Sequence, residues 1–209
     1  MGARIHITAM VEDGVLIGDG TAIWDNVHIR GPSTSVGSNC IIGGKSYVAP
    51  GVEIGDRVKI NANVYICTGV TIENGVMVAA GTIFTNDLFP RATTPDLKEL
   101  RTSQADEATL STQVREGATI GAGCVVGCNL EIGRFAMVGM ASVVTKSVPE
   151  FALMIGQPAR HVGYVDRSGR PMARFDKPPV SFEHSCADGY RYRLIGGRIL
   201  DEPVEGSSK

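Results

Sequence analysis

An isoleucine or valine returns every six residues along most of this chain, and that spacing restricts the possible folds more than any other feature. The series runs Ile5, Val11, Ile17, Ile23 and Ile29, slips by one residue, and resumes at Val36, Ile42, Val48, Ile54, Ile60, Ile66, Ile72 and Val78. After a break it returns as Val114, Ile120, Val126, Ile132, Val138 and Val144. The fifth place of each hexad is small or β-branched almost throughout, from Ala9, Val15, Thr21 and Val27 to Ala136, Ser142 and Val148. A half-buried strand alternates with period two and does not lock aliphatics at six. Each hexad therefore reads as a short strand plus a corner, with one large and one small side chain turned inward. Three strands close a triangular coil, and successive coils stack as parallel β-sheet that covers its own edges. β-Branched residues fit such pleated, stacked surfaces. Glycine at the second place, as in Ile17-Gly18 and Ile54-Gly55, is read as giving the corner backbone geometries that other residues resist. Cys40 and Cys124 fall at the small inward place and read as packing residues, whereas Cys67 and Cys128 fall at outer or corner places.

The period breaks over residues 85–113, which contain Pro90, Pro95 and the charged run DLKELRTSQADEATLSTQ. A loop of this length is functional or disordered, and one that leaves and re-enters the same coil favours a functional arm over a disordered insertion. The hexads end near GQPAR, Gly156 to Arg160, and RYRLIGGRIL, Arg191 to Leu200, reads as a β-hairpin about Gly196-Gly197. The expected organisation is an all-β chain: a parallel β-helix over 1–160 with the loop 85–113 inserted, then a tail over 161–209 with a hairpin. His184 and Cys186 supply two of the four ligands that a structural zinc takes, so no metal site is expected.

The chain has 209 residues and a formal charge of -2. That balance argues against general nucleic-acid binding, which draws on a basic surface. No apolar run reaches the length of a membrane-spanning helix, and the N-terminus lacks the apolar core of a signal peptide. Five cysteines without framework spacing fit reduced thiols, so a cytoplasmic location is expected.

Four stretches carry a resemblance: IWDNVHI (23–29), IFTNDLFPR (83–91), VREGATIGAGCVV (114–126) and VPEFALMIGQPAR (148–160). In these the chain resembles the bacterial nucleotide-sugar N-acetyltransferases of the hexapeptide-repeat superfamily. It is similar in particular to the group that acetylates the 3-amino group of UDP-linked 2-acetamido-3-amino-2,3-dideoxyglucuronic acid. A sister group acts on dTDP-linked 3-amino-6-deoxyhexoses. The resemblance implies a left-handed coil, acetyl-CoA as co-substrate without a metal, a nucleotide-linked amino sugar as acceptor, and a homotrimer with sites between subunits. The chain departs from the group beside Trp24, where Asp25 and Asn26 replace the aromatic or histidine often found there.

Many hexapeptide acyltransferases use a histidine base, yet the loop 85–113 holds none. A sugar amine is less basic than lysine and can attack a thioester directly once positioned, with proximity contributing much of the rate. Asn86, matching the group's FTN asparagine, is the leading catalytic candidate, with a turn role as its plain alternative. His28 is read as an outward corner residue that assists proton removal, contacts the sugar or lies at an interface. Backbone N–H groups of Gly139 or Ala141 are candidates for the oxyanion contact and the pantetheine wall. Lys146 and Arg160 are candidates for the CoA phosphates. Arg91 is a candidate for the acceptor diphosphate, and Trp24 for stacking in a subunit contact or on a base. An O-acyltransferase acting on another small acceptor, and a non-catalytic assembly module, are the competing readings.

Overall fold

A computed structural model describes residues 2–102, 104–185 and 187–204, so Cys186 lies outside the described residues. Short strands of two or three residues wind from Arg4 to Val144, separated by corners, and form three parallel sheets. The first face begins Arg4–Ile5, Ala22–Ile23, Ile41–Ile42 and Lys59–Ile60. The second begins Met10–Val11, His28–Ile29, Tyr47–Val48 and Tyr65–Ile66. The third begins Leu16–Ile17, Ser35–Val36 and Glu53–Ile54. The fold is a left-handed parallel β-helix.

The six-residue beat places each large aliphatic directly over its equivalent in the next coil. Ile23 pairs with Ile42, Ile42 with Ile60, and Ile60 with Val78 on the first face. These side chains form one continuous buried core. Burial of each such side chain stabilises by about 1.5–3 kcal/mol. The fifth-place residues fill the space that remains, and hydroxyls are satisfied there. Thr21 Oγ1 donates to the Gly37 carbonyl at 2.6 Å and accepts the Cys40 N–H at 3.0 Å. Ser46 repeats the device with Asn61 and Val64.

Three details differ from the expectations of the sequence. The beat runs one step further than the aliphatics show, because Phe84 is buried at the inward place and pairs with Val126. Val148 bridges to Ile132 and so occupies a large inward place rather than a small one. The second-place glycines are fixed by close approach, not by unusual backbone angles. A Cβ on Gly18 would lie 2.6 Å from the Gly37 carbonyl carbon, and one on Gly133 would lie 2.4 Å from the Glu150 nitrogen. The left-handed angles fall instead at the fourth place, on residues such as Asn26, Asn39, Arg57, Asn63 and Asn129. Asparagine tolerates that region better than most side chains.

The helix ends by turning back on itself. Ala152–Gly156 continues the first face beside Met137–Val138, and Ala159–Val165 then runs antiparallel to it, followed by Pro171–Arg174. A division at residue 160 therefore falls inside a strand. The expected hairpin is present as Tyr190–Ile195 and Arg198–Pro203 about Gly196-Gly197, joined by a third strand, Phe182–Ser185. This small sheet has its own core of Phe151, Tyr164, Tyr192, Leu194 and Ile199. Among the described residues no helix is long and apolar enough to cross a membrane.

Candidate functional site

The interruption is an arm rooted at the corner between the second and third faces. Ile83–Phe84 is the last strand before it, and the coil resumes at Thr112–Val114. The Leu110 N–H donates to the Asn86 carbonyl at 2.8 Å and closes the root. A small hairpin bridge joins Thr93 to Leu100 further out, and the Arg101 N–H donates to the Ala92 carbonyl. Between arm and coil lies a cavity of about 390 Å³, within the range of ligand pockets. Asn86, Asp87, Arg91, Arg101, Asp106 and Thr68 are among its lining residues.

Asn86 Nδ2 donates to the Thr68 carbonyl at 3.3 Å. That bond fixes the amide and leaves Oδ1, an acceptor, for an incoming N–H or O–H. Asp87 is held by its own turn, because Oδ1 accepts the Phe89 N–H at 2.7 Å. Its Oδ2 lies 3.6 Å from Arg101 Nη1, and Arg101 Nη2 lies 3.9 Å from Asp106 Oδ2. Arg91 Nη1 donates only to the neighbouring Pro90 carbonyl, at 3.0 Å, among the described contacts. Sequence motifs point to Asn86 and Arg91 but miss Asp87, Arg101 and Asp106. Arg91, Lys98 and Arg101 are the arm's cations by sequence, but only its hairpin shows which of them turn back to the root.

Two cysteines lie at the corner beneath the arm. Cys67 and Cys128 are buried there rather than outward, a correction that follows from the arm and the neighbouring coils covering this edge. Burial pushes the Cys67 thiol up to about 12 and raises that of Cys128. Neither is poised to act as a thiolate.

His28 is an outward strand residue of the second face, not a corner residue. Its Nε2–H donates to Glu12 Oε1 at 2.8 Å, and Glu12 also accepts from Arg30 Nε and the Gly31 N–H. The His28 hydrogen bond, helped by Arg30 and Gly31, holds the Glu12 carboxyl below the usual range despite partial desolvation. The His28 ring meets Tyr47 edge-on at 5.6 Å, and Tyr47 stacks on Tyr65 at 5.1 Å. His28 stands three rungs from the Ile83–Phe84 strand, about 14 Å at ~4.8 Å per rung. One chain therefore does not bring it to Asn86. Trp24 is exposed at a different corner, with the Arg4 guanidinium 5.2 Å over its ring.

The Gly139 N–H donates to the Met154 carbonyl and the Ala141 N–H to the Ala122 carbonyl, both at 2.8 Å. Both are consumed by the ladder between coils, so neither supplies the oxyanion contact expected of it. Gly139 and Ala141 share a corner that the Gly156–Arg160 turn overhangs, for Gln157 Nε2 donates to the Ala141 carbonyl at 2.6 Å. Arg160 is exposed on the strand leaving that turn. Lys146 lies on another corner, the arm's own, two rungs above Asn86. Among the described residues no cluster of His, Cys, Asp and Glu has metal-site geometry.

Comparison with known proteins agrees with this architecture. The hexapeptide repeat of succinyl-transferase matches residues 33–67, and the bacterial transferase hexapeptide (six repeats) matches residues 53–86. The chain is 40% identical over 88 residues, 42% of its length, to dTDP-3-amino-3,6-dideoxy-alpha-D-galactopyranose 3-N-acetyltransferase of Aneurinibacillus thermoaerophilus. It is 46% identical over 59 residues, 28% of its length, to serine acetyltransferase of Haemophilus influenzae. The matched segments span 43% and 22% of those two proteins, less than half of either. A UDP-N-acetylglucosamine acyltransferase from Bacteroides fragilis superposes with a TM-score of 0.59 at 17% identity, covering 78% of this chain and 61% of that one. Residues 33–86 thus match models of the hexapeptide repeat, and these repeats are wound into a left-handed parallel β-helix.

Proposed function

We propose that the chain is an acetyl-CoA-dependent N-acetyltransferase acting on the amine of a nucleotide-linked amino sugar, with the 3-amino position preferred. The observation that carries the reading is Asn86 at the root of an arm, its Oδ1 free to accept from an amine inside a polar cavity with two guanidinium groups. The similarity to a dTDP-amino-sugar N-acetyltransferase supports the same substrate class. In the reaction the neutral amine attacks the thioester carbonyl carbon. The C–N bond forms, the C–S bond breaks, and the CoA thiolate leaves and takes up the proton that the amine loses. Asn86 orients the amine, Arg91 faces the acceptor diphosphate, and Lys146 and Arg160 are the cations offered to the CoA phosphates.

The serine acetyltransferase similarity favours an O-acyl alternative. A hydroxyl acceptor calls for a general base. Among the described residues no histidine lines the cavity, and its carboxylates, Asp87 and Asp106, are turned toward Arg101. An amine acceptor needs no such base, so it remains the better reading. The assembly is proposed to be a homotrimer, supported by the second face, which presents Met10, Tyr65 and Ile83 as exposed apolar side chains in one column. The test is a panel of UDP- and dTDP-linked 3-amino and 4-amino sugars, with serine alongside, incubated with acetyl-CoA while thiol release is followed. Turnover confined to nucleotide amino sugars supports the reading, and turnover on serine alone overturns it.

A further inference from the structure

The geometry points to Arg101, together with Arg91, as the pair that recognises the diphosphate of the acceptor, with Arg101 transferring from two carboxylates to the phosphates when the acceptor binds. This rests on the nucleotide-sugar reading and names how the cavity would select that class. Both guanidinium groups line the same cavity. Arg101 is suspended between Asp87 and Asp106 at 3.6 and 3.9 Å, beyond the 2.7–2.9 Å of a charge-assisted hydrogen bond. Its N–H groups are attracted to both carboxylates but committed to neither. The carboxylates, by contrast, are anchored without it: Asp87 Oδ1 holds the Phe89 N–H at 2.7 Å, and Asp106 Oδ1 holds the Ala108 N–H at 2.9 Å. They can release Arg101 without losing their own turns.

A diphosphate offers Arg101 and Arg91 pairs of oxygens that the planar guanidinium fork can bind two at a time. Its arrival also uncovers Asp87, the neighbour of Asn86 in the chain, for the polar groups of the sugar. Lys98, the arm's remaining cation, is out at the hairpin and pairs with Asp96.

The experiment measures binding of dTDP and UDP to the full chain by titration calorimetry, for the wild type, Arg101→Gln and Asp106→Asn. Loss of hydrogen bonds to a charged group predicts binding about 10- to 100-fold weaker for Arg101→Gln. Asp106→Asn removes a competitor and should leave binding unchanged or tighter. Equal binding by Arg101→Gln and the wild type overturns the proposal, as does failure of the wild type to bind either nucleotide. Weakening by Asp106→Asn as large as that by Arg101→Gln also overturns it, since Arg101 would then act only as an arm clamp. Acetyl transfer is followed separately. Intact, Arg101-dependent nucleotide binding without turnover on any nucleotide amino sugar would count against the proposed reaction and not against this site. Turnover on such a sugar with indifferent Arg101→Gln would do the reverse.

Discussion

The carboxylate of Asp201, in the last strand of the tail, receives the guanidinium of Arg134, a corner residue of the coil 67 positions earlier. Arg167 donates to the same carboxylate, Nε at 2.8 Å. The Asp201 side chain is only 5% exposed, whereas those of the two arginines are about one-third exposed. One nearly buried acid thus pins the small sheet to the coil from two sides.

Asp201→Asn should loosen the tail and spare the coil. Leaving a charge pair broken at a buried site costs several kcal/mol, and the solvent around the arginines reduces this to about 1–3 kcal/mol. Limited proteolysis should cut the variant within 160–204 sooner, with the main thermal transition unmoved. Acid should act on the wild type in the same way. Burial pushes the Asp201 carboxyl up, but the hydrogen bonds from Arg134 and Arg167 outweigh it and hold the group below its ordinary value. A carboxyl depressed in the folded state stabilises fully above its unfolded pKa of about 3.9 and loses that contribution as pH falls through the folded one. Tail protection should therefore be full at pH 6, begin to weaken only below about pH 4, and be lost as the pH falls further through the depressed folded value.

Two glycine substitutions separate the two kinds of corner constraint. Gly75 sits at φ +67, a Cβ placed there would meet nothing within 4 Å, and its place is filled by asparagine in other coils. Gly75→Asn should change stability by less than about 0.5 kcal/mol. Gly133→Ala drives a methyl to 2.4 Å from the Glu150 nitrogen, a backbone contact that cannot rotate away. It should cost about 1–3 kcal/mol, read as a drop in the thermal midpoint.

The beat of Ile42, Ile60 and Val78 carried the coil because a solenoid writes each contact as a fixed sequence interval. The Gly196-Gly197 hairpin was equally readable, being local. What escaped was long-range or hidden by chemistry. Phe84 breaks the aliphatic pattern yet packs in line. The close approach at Gly18 depends on a coil the local sequence does not name. In the candidate site, Asn86 and Arg91 belong to a contiguous motif, whereas Arg101 reaches the cavity only because Thr93 bridges Leu100 and folds the arm back. Gly139 and Ala141 look like free donors in sequence because nothing local reveals the ladder to Met154 and Ala122 that consumes their N–H groups.

Four cysteines should resist alkylation. Cys40, Cys67, Cys124 and Cys128 are buried, and burial raises each thiol. Iodoacetamide at pH 8 should leave these positions unlabelled in the native protein and label all four in denaturant, scored by peptide mapping. Rapid native labelling of Cys67 would contradict the closed corner beneath the arm.

The second face should govern self-association. Tyr65 and Ile83 are outward neighbours on adjacent rungs and nearly half exposed. Tyr65→Glu with Ile83→Glu should shift sedimentation toward the single chain while the β-sheet circular dichroism is unchanged. An unaltered assembly would place the contact on another face.

Asn86→Ala should lower turnover about 100-fold, the scale on which misplacement of a reactant slows an enzyme. The Thr68 bond fixes the amide, and without the amide the amine loses the acceptor that orients it at the arm root. His6→Ala provides the control, since His6 is exposed in the first coil and, among the described residues, its ring bonds to the nearby Thr8. The pH profile completes the test. If the amine itself must be neutral and no histidine removes its proton, kcat/KM should rise with pH along the amine's own ionisation. His28→Gln should leave that profile's shape intact even if it lowers the rate through the Glu12 contact. A histidine-like limb lost in His28→Gln would instead mean that His28 of one chain reaches the Asn86 site of another, and that the unaided attack is wrong.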